Sequence, residues 1–209
     1  MKKIVFFGDS ITDMGRDRNE DFSAFSYGVG YPNIIAAQLC GANPVEYEIY
    51  NRGVSGDNVA KLYARLRGAV WYLQPDILSI LVGVNDVWHE LEGEGVDIIR
   101  YEKIYRMIIE ETKEKLPDLK IVLCEPFVLK GSVTEGNYEH FLQVKDHAKV
   151  VSKLATEYGL YFLPLQDKFD EAAEKYGAQY YLYDGVHPSI VGAKLIADEW
   201  LKLFDEKAL

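Results

Sequence analysis

Cysteine, positive charge and long apolar runs are all in short supply in this chain of 209 residues. Two cysteines are too few for a disulfide framework. Cys40 and Cys124 lie in apolar stretches and read as buried thiols rather than as a bridge. No stretch approaches the ~18–20 apolar residues of a membrane-spanning helix. Met1-Lys2-Lys3 is followed by only four apolar residues, too short a run for a signal peptide, and no small-residue cleavage site follows. A cytoplasmic protein is the expectation. The deficit of positive charge is 23 Lys and Arg against 33 Asp and Glu, a net charge of −10, with no basic patch along the chain beyond scattered pairs such as Arg65 and Arg67. A nucleic acid or an anionic membrane would be repelled, so neither is expected as a partner. Internal repeats and low-complexity linkers are also missing. What remains is an ordinary globular composition, 48% hydrophobic and 27% charged, of a length that predicts one domain over 1–209 with a sizeable core. Fifteen tyrosines and three tryptophans exceed the needs of a core. That surplus suits a sugar or apolar ligand, and equally the interface of a homo-oligomer.

Apolar runs predict five strands: Lys3–Phe7, Glu46–Tyr50, Ile77–Val82, Lys120–Cys124 and the short Leu160–Leu163. Between them apolar residues recur at steps of three and four. Val59, Leu62, Leu66, Val70 and Leu73 form one stripe, and Ile98, Tyr101, Ile104 or Tyr105, Ile108 and Leu116 most of a second. Phe141, Val144, Ala148, Val151, Ala155 and Tyr158 form a third, and Ala193, Ile196, Trp200 and Phe204 the last. Alternating strands and helices mean βαβ units with right-handed crossovers, hence an α/β fold: a three-layer, flavodoxin-like sandwich around a five-stranded parallel sheet. Two long loops break the rhythm, Met14–Pro32 and Pro126–Tyr138. Each follows a strand, and loops of this length in a compact domain usually carry function or move.

The stretch Val5-Phe6-Phe7-Gly8-Asp9-Ser10 stops a buried strand at a glycine and presents an acid and a serine, where open α/β sheets place their ligands. Three other strand ends or loops are equally unusual: Asn51-Arg52-Gly53-Val54-Ser55-Gly56-Asp57, Gly83-Val84-Asn85-Asp86, and Asp184-Gly185-Val186-His187-Pro188. Singly, each has a plain structural reading as a turn, a cap or a loop histidine. Together they supply the parts of acyl transfer. Ser10 needs a base, His187 is the best placed, and Asp184 on the same tight loop can hold its tautomer. A tetrahedral intermediate needs donors, and the N–H groups of Ser10 and Gly53 and the side-chain amide of Asn85 are the candidates. A side chain at position 53 is expected to crowd the scissile group.

These four blocks, in this order and over nearly the whole chain, resemble the SGNH or GDSL hydrolases. The resemblance implies Ser10 as nucleophile, His187 as base, Asp184 as its orienting acid, Ser10, Gly53 and Asn85 as the oxyanion hole, and no metal or other cofactor. Ile11 stands where the name-giving motif has leucine. The stretches Gly8–Arg16, Asn51–Asp57 and Gly83–Glu90 look similar to the bacterial carbohydrate O-acetylesterases of that family, acetylxylan esterases in particular. An acetylated xylo-oligosaccharide or related sugar is the substrate this implies. Trp88 and the aromatic loop from Phe22 to Tyr31 suit a shallow sugar-facing pocket, with Trp88, Tyr31 and Asp9 as candidate contacts, although Asp9 reads more readily as a structural hydrogen-bonding partner.

The alternatives are a lysophospholipase or thioesterase acting on longer acyl esters, and a metal-dependent phosphoesterase using Asp9, Asp13, Asn85, Asp86 and His187. The latter needs several histidine ligands, whereas His89, His140 and His147 sit outside the strand-end blocks. A non-catalytic sugar-binding module would not need a serine, a histidine and an acid at three strand ends. His89 reads as a loop residue, and His140 and His147, seven apart and so on one face of a helix, as surface or interface positions.

Overall fold

The computed structural model describes residues 1–209. Five strands, β1 (Lys2–Gly8), β2 (Tyr47–Gly53), β3 (Ile77–Leu81), β4 (Lys120–Cys124) and β5 (Tyr161–Leu163), form one parallel sheet in the order β2-β1-β3-β4-β5. The α/β sandwich expected from the alternation of patterns is therefore present. The helices are α1 (Ser10–Asp13), α2 (Tyr31–Ala42), α3 (Val59–Leu66), α4 (Val84–Trp88), α5 (Ile98–Lys115), α6 (Tyr138–Phe141), α7 (Val144–Tyr158), α8 (Gln166–Tyr176), α9 (Ala178–Tyr181) and α10 (Ile190–Lys207).

Strand periodicity divides the core in two. Ile4, Phe6, Ile49, Ile77 and Val122 face α2, α8 and α10, packing on Ile35, Leu39, Phe169, Ile196 and Trp200. Val5, Phe7, Leu78, Ile80 and Leu123 face α3, α5 and α7, packing on Leu62, Leu66, Tyr105, Ile108, Val151 and Leu154. Because both faces are covered, the strands read as continuous apolar runs rather than as alternating ones. Both cysteines are free thiols, Cys124 buried and Cys40 half-buried. No helix is long and apolar enough to cross a membrane.

The register positions the site. Gly8 pairs with Gly53 on one side and with Leu81 on the other, so three of the unusual segments leave the sheet at one level. Several boundaries differ from the sequence reading. β2 runs on through Asn51 and Arg52 to Gly53 because the ladder with β1 continues to Gly8. The first long loop ends at Tyr31, where Pro32 in the first turn of α2 presets helical φ. The third stripe is two helices, α6 and α7, which separates His140 from His147. His147 is not a surface residue: it is buried, ring against ring with Tyr101 at 4.6 Å. His140 is half-buried and binds the carbonyl of Val87 at 2.8 Å.

Candidate active site

The chain leaves β1 at Gly8 and turns at once into α1. The Asp9 carboxylate accepts from the Ile11 N–H at 2.9 Å and caps the helix, which makes Ser10 its first residue. The turn is held from β2 by Asn51. Its amide donates to the carbonyls of Thr12 (2.7 Å) and Tyr27 (2.9 Å), and its oxygen accepts from the Gly53 N–H (2.9 Å). Asp13 grips the following turn, accepting from the Ser55 N–H at 2.9 Å and from its hydroxyl at 3.1 Å.

His187 arrives from the other end of the chain on the loop before α10. Ser10 Oγ lies 2.9 Å from its Nε2, and Asp184 Oδ2 lies 2.7 Å from its Nδ1. Ionised Asp184 can only accept, so the ring proton sits on Nδ1 and Nε2 is left to accept from the serine hydroxyl. The other oxygen of Asp184 accepts from the backbone N–H groups of Val186 (2.9 Å) and His187 (2.7 Å). Burial would raise the pKa of this carboxyl. The His187 N–H, the imidazole and the Val186 N–H together outweigh burial and hold it below the ordinary value. A hydroxyl, an imidazole and an ionised carboxylate thus stand in series, the arrangement through which a serine proton can pass to a histidine while the developing charge is balanced.

Asn85, at the start of α4, donates one amide hydrogen to the carbonyl of Asp57 at 2.8 Å, which fixes the amide beside the 54–57 turn. Just before that turn, at the end of β2, the expectation for Gly53 needs correction. Its N–H is engaged by Asn51 Oδ1 and is not free to meet an oxyanion. A Cβ at this position would fall 2.2 Å from the Asp13 nitrogen, so glycine is demanded by the close approach of α1, not by a reacting group. Gly56 differs on both counts: φ is +82°, the space around it is open, and its N–H has no partner within the chain. Sequence spacing alone could not separate two glycines three residues apart. The signal lay in Asn51, whose side chain is the right length to cap its own strand end.

Of the expected substrate contacts, only Trp88 borders the reacting residues. Its ring lies 6.2 Å from that of His187 and edges onto Phe141. Tyr31 is fully buried, with its hydroxyl on Thr12 Oγ1 at 3.0 Å and its ring against Phe6, and so cannot touch a ligand. Asp9 is likewise sealed from solvent beneath α1. A neighbour the sequence reading passed over is Tyr183, half-exposed and stacked on His187 at 5.8 Å with 18° between the planes.

Comparison with known proteins fits this geometry. Residues 6–195 match the model of the GDSL-like lipase/acylhydrolase family. The chain belongs to that family, whose members are carboxylic ester hydrolases. Within this GDSL family, the chain is 31% identical to the acetylxylan esterase of Geobacillus stearothermophilus over 96% of its own length and 93% of the relative's. The solved structure of that enzyme superposes with a TM-score of 0.85 at 31% identity, covering 97% of this chain and 93% of the other. A Parabacteroides merdae protein described as GDSL-like lipase superposes with a TM-score of 0.90 at 40% identity, covering 98% and 95%. The Geobacillus esterase has also been solved as catalytic mutants in which a serine, an aspartate and a histidine are each replaced by alanine, with the aspartate three residues before the histidine.

Proposed function

We propose that this GDSL hydrolase removes O-acetyl groups from carbohydrates, an acetylated xylo-oligosaccharide or a related sugar, through an acetyl-serine intermediate. The observation that carries the reading is the hydrogen-bonded series Ser10–His187–Asp184 at the carboxyl edge of the sheet. The relative's catalytic aspartate and histidine, three residues apart, support giving Asp184 and His187 those roles. His187 takes the Ser10 proton as Oγ attacks the acetyl carbonyl. The sugar oxygen then leaves with that proton, and the acetyl group stays on Ser10. Water, deprotonated by the same imidazole, attacks the acetyl-serine, acetate departs, and the proton returns to Oγ. The negative oxygen formed in each half would be met by the N–H of Ser10, the N–H of Gly56 and the second amide hydrogen of Asn85.

Two aromatic rings flank His187, Trp88 and Tyr183, and offer faces on which a pyranose can stack while leaving little length for an acyl chain. With the likeness to an acetylxylan esterase, they favour a sugar acetate over a lipid ester. The test is a panel of acetylated xylose, glucose and mannose oligosaccharides beside 4-nitrophenyl esters of increasing chain length, run on wild type and Ser10→Ala. Fastest turnover of acetyl groups on a sugar, abolished with Ser10, is the expected result. Faster hydrolysis of octanoyl than acetyl esters would overturn the sugar and spare the serine chemistry.

A further inference from the structure

Scattered along the chain, Arg16, Arg18, Arg52 and Arg65 converge in the fold and line a cavity of about 300 Å³ between the first long loop, the end of β2 and α3, with Glu20 and Val54 also at its wall. Three of the four are each matched by an acid. Arg18 pairs with Asp13, Arg52 holds both oxygens of Asp21 at 2.6 and 2.9 Å, and Arg65 reaches Asp57 at 2.5 Å. Arg16 is matched by none. Its Nε donates to the Gly53 carbonyl at 2.8 Å, and it takes part in no ion pair. Burial lowers its pKa, Asp13 raises it, and the guanidinia of Arg52, Arg18 and Arg65 lower it further. In a protein of net charge −10, one half-buried cation thus has no ion pair of its own beside three that do.

Holding a guanidinium half out of water beside like charges is unfavourable unless something negative answers it. Planar guanidinium forks suit a carboxylate or a phosphate. Hydrogen bonds and packing link the cavity to the active site. Gly53, whose carbonyl Arg16 binds, packs on Asp13, three residues after Ser10, and Asp57, paired with Arg65, gives its carbonyl to Asn85.

We propose that this cavity binds a carboxylate carried by the substrate, as on a uronic acid unit close to the acetylated sugar, with Arg16 as its principal partner. This assignment rests on the sugar reading of the active site. Glu20, exposed on the rim and in no ion pair, is the chain's own rival for the seat, so Glu20→Gln should strengthen binding.

The experiment has two arms. In the first, kcat/KM is compared for two acetylated xylo-oligosaccharides of equal length, one bearing a glucuronic acid side group. The expected ratio of acidic to neutral substrate is about tenfold in wild type, the size of one charge-assisted hydrogen bond, and falls with added salt. It drops to about one in Arg16→Gln and is partly kept in Arg16→Lys. The ratio, not the absolute rate, is the readout, because Arg16 also ties down the Gly53 carbonyl. The second arm measures binding of free glucuronate and of inorganic phosphate to wild type, Arg16→Gln and Glu20→Gln by calorimetry. A wild-type ratio of one overturns the substrate-borne carboxylate. If phosphate nonetheless binds through Arg16, the anion is a free small ligand; if neither probe binds, there is no anion site. Should neither oligosaccharide be deacetylated while 4-nitrophenyl acetate is, the sugar reading fails, and Arg16-dependent binding of glucuronate still decides the anion site by itself.

Discussion

In the proposed mechanism Ser10 is a poor nucleophile by itself, and the 2.9 Å contact with His187 is what would activate it. Ser10→Ala and His187→Ala are each expected to lower turnover by about 10⁴–10⁶, and the double variant to be little worse than either, because the pair acts as one unit. Kinetics on 4-nitrophenyl acetate check this, and a double variant far below both singles would contradict it. Asn85→Ala should cost roughly 10²–10³ in kcat with little change in KM, as loss of an oxyanion donor does. Full specific activity in the folded fraction of that variant would reduce Asn85 to a clamp on the Asp57 carbonyl. Trp88→Ala should raise KM for an acetylated oligosaccharide more than for 4-nitrophenyl acetate, which is too small to use the same stacking face. Equal changes on both would make Trp88 a packing partner of Phe141.

At the scale of elements, the site depends on how α1 is fastened to β2, and Asn51 is the fastener. Asn51→Ala strips partners from two carbonyls and one N–H, most of them buried, and should destabilise the fold by about 2–4 kcal/mol, measurable by denaturant unfolding. Gly53→Ala tests the same joint from the other side. A methyl group directed at the Asp13 nitrogen forces α1 away and should cost roughly 1–3 kcal/mol together with activity. Most strands and the long amphipathic helices were legible because their apolar periods are strong: Lys120–Cys124 matches β4 residue for residue, and the Ile98 stripe falls on α5. Helices α2 and α8 were not. Tyr31–Ala42 follows a glycine-rich loop and is apolar nearly all round its first turns, so it shows no clean face; Gln166–Tyr176 does carry Phe169, Ala172, Ala173 and Tyr176 at helical spacing, but with two alanines among them and little buried beyond Phe169 the stripe is weak. The four motif blocks were legible because chemistry at a strand end requires unusual residue types. Which glycine turned its N–H outward was not, because that depends on Asn51 reaching across two residues. Nor was the arginine cluster, whose members come from a loop, a strand and a helix and share no local spacing.

Across the whole molecule, charge and burial set the response to pH. Burial pushes the Asp9 carboxyl up to about 7, against the Ile11 N–H that lowers it and with Asp57 adding to the rise. Burial likewise pushes Asp86 up to about 8, against the Val59 N–H and with Asp9 adding to it. Between the ordinary value of 3.8 and these raised values, the folded protein holds protons that the unfolded chain has released. Stability contributed by the two groups is thus full in acid and lost as pH rises through about 7 to 8. Asp184 and Asp13 run the other way: their depressed values give stability that is present above the ordinary carboxylate range and lost as pH falls below it. The melting temperature of wild type should therefore peak in mild acid, decline as pH rises from the ordinary carboxylate value of 3.8 to about 8, and level off above that, and Asp86→Asn should flatten that decline. An identical slope in the variant would mean that Asp86 does not hold a proton in the folded state.

Ser10 and His187 stand 177 residues apart in the chain yet are hydrogen-bonded in the fold. At synthesis rates of roughly 5–20 residues per second, about 10–35 s separate the making of the nucleophile from the making of its base. For that interval the nascent chain carries a serine with no imidazole to draw off its proton. On the proposed mechanism, a message cut short anywhere before the last loop should yield a protein inert toward esters however well its sheet has formed. Activity would then wait on the arrival of the chain's own C-terminal segment.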